Sequence, residues 1–97
     1  MIDLYTLTEL EKSTYVFLKT KDSFTTISKR PVRNKYQVFT TKKITSQMAD
    51  DINRLYGANL EVTRINFDQG FLIIRLKENS TYNNIVKAVK TVLYGQS

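Results

Sequence analysis

The side chains of this chain best suited to chemistry are its cations. Lys29, Arg30, Arg33, Lys35, Lys42 and Lys43 all fall between residues 23 and 49, a stretch without a single acid. That stretch carries the whole net charge of +6, and the rest of the chain is balanced. A concentrated excess of one sign makes a local potential that attracts phosphate backbones. The competing reading is a solvated loop face. Tyr36 and Phe39 lie among these cations, and aromatic–basic interleaving is how single strands are held. Alternation along 36–41, however, sends Tyr36 or Phe39 toward a core, so duplex DNA is the preferred partner, ahead of single strands or RNA.

Catalysis has little to draw on. The chain has no histidine, and so lacks the commonest general base and metal ligand. It has no cysteine, which excludes disulfides, thiolate metal sites and cysteine nucleophiles. Asp50 and Asp51 are adjacent, so on a helix they point about 100° apart and cannot share a site. Asp22, Asp68 and Glu78 sit at turns or element ends. Gly57, Gly70 and Gly95 are isolated, so no glycine-rich phosphate loop exists. Lysine as a base and tyrosine-dependent strand cleavage stay formally open, but nothing marks out one tyrosine. The expectation is a protein that is not an enzyme, with no catalytic residues, no metal and no cofactor.

The elements that must position the cations come next. At 97 residues, 41% hydrophobic and 25% charged, the chain reads as one globular domain, 1–97. The longest apolar run is Phe71 to Ile74, far short of the ~20 residues of a membrane span. The start of the chain carries Asp3, Glu9 and Glu11 and does not read as a signal peptide, so a cytoplasmic location is expected. Richness in Thr, Tyr and Asn associates with a plasmid or phage.

Thr6-Leu7-Thr8-Glu9 and Thr8-Glu9-Leu10-Glu11 both fit a capping box, predicting a short helix from Thr6 or Thr8. The β-branched and aromatic run after Ser13 predicts a strand at 14–20. Lys21-Asp22-Ser23 reads as a turn and 24–28 as a returning strand. Pro31 breaks a basic loop from Ser28 to Lys35, and 36–41 alternates as a strand.

Residues 45–56 form the clearest helix. Thr45 or Ser46 caps it, Met48, Ala49, Ile52, Leu55 and Tyr56 make its apolar stripe, and Gly57 is a left-handed C-cap. A hairpin follows, 59–67 and 71–77, joined by Asp68-Gln69-Gly70. Pairing Phe67 with Phe71 puts Thr63, Ile65, Ile73 and Arg75 on one face. Leu60, Val62, Arg64, Leu72, Ile74 and Leu76 then share the other. The last helix spans about 81–94, capped by Ser80 and ended by Gly95. The tip residues Ile65, Phe67, Phe71 and Ile73 then require a cover, either the N-terminal segment or a second copy in a homodimer.

Ile44-Thr45-Ser46-Gln47-Met48-Ala49, then Leu55-Tyr56-Gly57 and a two-stranded ribbon, resembles the last helix and wing of a winged helix-turn-helix domain. The resemblance covers 45–56 and 59–76. It implies that Thr45, Ser46, Gln47 and Arg54 lie near DNA, with Arg64 and Arg75 on the wing. The fold expected is α+β, a small domain with a mostly antiparallel sheet and two or three helices, or a permuted ferredoxin-like sandwich. RNA-recognition modules share that second layout, but no aromatic ribonucleoprotein motif lies on 59–67 or 71–77. The function expected is non-catalytic DNA binding by an accessory or regulatory protein of a mobile element. Duplex phosphate contacts would come from 29–43 and the hairpin arginines Arg64 and Arg75, with Gln47 a further nucleic-acid-binding residue that the resemblance implies. The alternative is a small interaction module or inhibitor that docks on a host enzyme.

Overall fold

Period-two alternation dominates the chain, and the computed structural model shows six strands and two helical segments among the described residues. It describes residues 5–7 and 15–95, with side chains from Leu18 onward. The strands are β1 (Tyr5–Leu7), β2 (Tyr15–Lys19), β3 (Phe24–Lys29), β4 (Lys35–Thr40), β5 (Leu60–Asn66) and β6 (Phe71–Leu76). Helix α1 (Ser46–Tyr56) lies between β4 and β5, and α2 (Tyr82–Ala88) follows β6. The sheet order is β1-β2-β3-β4-β6-β5, and every neighbouring pair is antiparallel. The α+β fold with an antiparallel sheet is as expected. Helix α1 joins β4 to β5 while β6 takes the place between them, a split β-α-β unit.

One sheet face carries Ile27, Val38, Leu72, Ile74, Leu60 and Leu76. These residues pack with Ile44, Ile52, Ile85, Val89 and Leu93 from the helical layer. Leu18, Ile27, Val38, Ile52, Leu72 and Ile74 are wholly buried. At ~1.5–3 kcal/mol for each such side chain, this layer dominates the stability. A polar chain crosses it: the Thr25 hydroxyl lies 2.8 Å from that of Thr40 and 2.5 Å from the Tyr94 hydroxyl. Buried hydroxyls need partners, and these three supply one another. Tyr94 reaches the sheet after α2 widens into a π-helical stretch, Val89–Leu93.

Five local expectations are corrected. Tyr5–Leu7 is a strand paired with β2, not the start of a helix, because edge pairing outweighs the local capping pattern. A start at Thr8 falls outside the described residues. Gly57 is right-handed, φ −61°, and does not form a left-handed cap. The cap of α2 is Thr81, whose amide donates to Asn84 Oδ1 at 3.0 Å, while Ser80 Oγ accepts from Asn59.

The hairpin register also differs. Phe71 pairs with Asn66, and Phe67 lies in the turn. Asn66 Oδ1 accepts the Gln69 amide at 2.8 Å, which closes the turn one residue earlier. Gly70 has φ +76°, and a Cβ there would stand 2.7 Å from the Thr40 carbonyl oxygen. Finally, β5 bulges between Val62 and Arg64. One extra residue reverses the facing of everything beyond it. Ile65 therefore joins the covered face opposite Leu72, and Arg64 joins Arg75 on the open one.

Candidate functional site

Among the described residues no helix lies on the second face of the sheet, and cations gather at one end of it. Arg30 to Lys35 closes a tight loop between β3 and β4. The Arg30 amide donates to the Lys35 carbonyl at 3.0 Å, and the Lys35 amide to Val32 at 3.1 Å. Asn34 adopts φ 61°, a left-handed position that asparagine tolerates, and its carbonyl accepts the Leu76 amide at 2.8 Å. Pro31 lacks an amide at a place where none is needed. The loop is thus tied to both β4 and β6, and it presents Arg33 and Val32 to solvent. Val32 is 50% exposed.

Register carries the positive charge onto the sheet. Lys35 pairs with Arg75, and Arg75 with Glu61. Arg75 forks onto Glu61 Oε1 at 2.8 and 3.3 Å. That hydrogen bond first, and the Arg75 charge second, hold the Glu61 carboxyl below its ordinary range, with Lys77 and Lys35 adding to the effect. Glu61 is the one acid in strands β3 to β6. On the other side of β6, Arg30 Nη1 from the loop donates to Gln37 Oε1 on β4 at 2.8 Å.

Further along the same face the cations give way to rings. Phe39 pairs with Phe71 across β4 and β6, and Phe39 is 37% exposed. The Phe24 ring is tilted against Phe39 with centroids 6.2 Å apart. The Arg64 guanidinium lies 5.9 Å from the centre of the Phe71 ring, within the range of a cation–π contact. Ile73 is buried between Gln37 and Arg64, its register partners. Tyr36 has the opposite parity and stacks on Tyr82 under the helical layer, centroids 6.3 Å apart.

The structure therefore divides the expected site residues. It brings Arg30, Lys35, Arg64 and Arg75 onto one face, with Arg33 on the loop at its edge, whereas Lys29 pairs with Tyr36 and has the parity of the covered face. Lys42 and Lys43 lie beyond the other end of β4, whose ends are ~17 Å apart at ~3.3 Å per residue. There Lys42 Nζ sits 4.6 Å from the centre of the Tyr94 ring. Gln47 belongs to the helical layer on the far side. Its amide donates to Asp51 Oδ1 at 2.8 Å, and Arg54 meets the same oxygen at 3.0 Å. These two bonds lower the Asp51 carboxyl. One flat ligand cannot meet Gln47 and Arg64 together.

Sequence reasoning passed over Gln37 and Phe71. The signal was parity: Phe24 and Phe39 each sit out of step with the buried residues of their strands, and Phe71 pairs with Phe39. Among the described residues no cluster of His, Cys, Asp or Glu could hold a metal, and no helix is long and apolar enough to cross a membrane. Of the tip residues, Ile65 faces the helices, Ile73 is buried, and Phe67, 53% exposed, remains open. Searches against protein-family models, curated proteins and solved structures find no match to this chain, so the reading of function rests on the chemistry of this face.

Proposed function

We propose that the protein binds nucleic acid without catalysis, through phosphate contacts from the loop 30–35 and the cations beside it. The observation that carries this is the convergence of Arg30, Arg33 and Lys35, with Arg75 beside Lys35, on one end of a sheet face whose strands hold a single acid, already paired. Fixed cations on a rigid loop meet a row of phosphates without the ordering loss of a floppy tail. Lys42 and Lys43 stand apart and contribute only to a ligand long enough to span β4.

The test is the salt dependence of affinity. About four phosphates engaged gives a log–log slope of about −3 to −4, from ~0.7 to ~0.9 per contact. Labelled oligonucleotides titrated between ~50 and ~200 mM salt measure it, and a flat line rejects the reading. A second reading, docking on an acidic protein surface, is favoured by Val32. This half-exposed apolar side chain stands between Pro31 and Arg33, where a protein partner would bury it. Val32→Ser separates the two, since it weakens protein docking and leaves phosphate binding unchanged.

A further inference from the structure

We infer that the nucleic acid is single-stranded, its bases stacking on the Phe39 end of the open sheet face while its phosphates run toward Lys35. The inference rests on the phosphate-binding reading above and adds to it the class of strand. In a duplex, base faces are hidden within the stack, so an exposed ring on a flat sheet has nothing to stack on. A single strand offers those faces, and base–aromatic stacking is tolerant of sequence. On this face Phe39 is an exposed ring, and Phe71 beside it carries the Arg64 guanidinium, itself a plane on which a base can stack.

Spacing and charge agree with this occupant. Phe39 and Lys35 lie four residues apart on one strand, ~13 Å, which is about four base steps at the ~3.4 Å duplex rise and fewer for an extended strand. Between them Gln37 is held by Arg30, so the path from rings to cations is lined by a fixed amide and a guanidinium. An apolar protein partner would not need cations at one end of its groove. A duplex backbone would not need rings at the other.

The experiment is fluorescence anisotropy with four labelled probes: a twelve-residue oligo-dT, the same length of oligo-U, an abasic strand of equal length, and a random twelve-base-pair duplex. Oligo-dT or oligo-U is expected to bind about tenfold or more above both the abasic strand and the duplex. Phe39→Ala should remove about tenfold of that preference, and Phe39→Tyr should keep it. Phe39→Leu, which retains apolar bulk without a ring, should behave as Phe39→Ala and so guards against a folding artefact. Equal binding of all four probes, with Phe39→Ala silent, overturns the stacking inference and leaves the phosphate reading standing. Failure of every probe to bind at ~50 mM salt overturns both.

Discussion

On its covered face β6 presents Leu72, Ile74 and Leu76, and on its open face Phe71, Ile73 and Arg75. The adjoining strand β4 does the same, with Val38 and Thr40 inward and Lys35, Gln37 and Phe39 outward. The two faces share one backbone and one set of hydrogen bonds. They differ in that helices remove one face from water, while among the described residues none lies on the other. Residues on the covered face are therefore constrained by volume, and those on the open face by charge and ring. Substitutions should separate along that line.

The largest effect belongs to the covered face. Ile52→Asp buries a carboxylate with no partner in the centre of the helical layer. It should exceed about 4 kcal/mol and abolish the cooperative melt followed by circular dichroism. A folded Ile52→Asp protein would mean that the two faces have been assigned the wrong way round.

Next comes the open end. Replacing Lys29, Arg30, Arg33 and Lys35 together with Ser or Gln should leave the melting temperature within a few degrees of wild type. Oligonucleotide affinity at low salt should drop by about a hundredfold, and the salt slope should flatten by ~0.7 to ~0.9 for each contact removed. Loss of the fold with this variant would show that the loop is part of the structural core.

A third, smaller effect sharpens the contrast. Tyr94→Phe removes the hydroxyl that meets Thr25 and leaves the ring under Lys42. Urea unfolding should register a loss of about 1 kcal/mol, with oligonucleotide affinity unchanged. A change in affinity would mean that the two faces are coupled through the Thr25–Thr40 pair.

The smallest concerns Glu61. Glu61→Gln removes the carboxylate that holds Arg75 and should raise oligonucleotide affinity a few-fold. In the wild type, Glu61 and Asp51 titrate below their ordinary values of 4.5 and 3.8. Their pairing therefore stabilises the fold fully above those values, and that contribution is lost as pH falls through the lowered ones. The melting temperature of the wild type should decline slightly over that acidic interval, and that of Glu61→Gln less. An identical decline in both would show that Glu61 contributes nothing there.

Local pattern alone made much of this legible. The stripe Met48, Ala49, Ile52 gave α1 within a residue, and Thr45 caps it as read. The strand runs at 14–20, 24–28 and 36–41 became β2, β3 and β4 with small shifts at their ends. The cationic segment was also plain, since charge needs no fold to be counted. The site was harder. The segment 29–43 looked continuous, yet a strand runs through it and carries Lys42 and Lys43 away from Arg30. Arg64 was placed on the wrong face because a bulge leaves no mark in an alternating run such as Val62-Thr63-Arg64-Ile65.

What the sequence determined by itself is whatever depends on neighbours a few residues apart. That includes the helix stripe and its cap, the positive φ at Gly70, the confinement of excess charge to 23–49, and the lack of thiol and imidazole chemistry. What only the tertiary structure decided is whatever depends on pairing at long range. The register of β6 against β4 sets Phe39 beside Phe71 and Lys35 beside Arg75. The bulge in β5 turns Arg64 outward, and the helices choose which face to cover. Each of these choices is made by surfaces distant in the chain, where burial of the better-fitting apolar face outweighs any local preference.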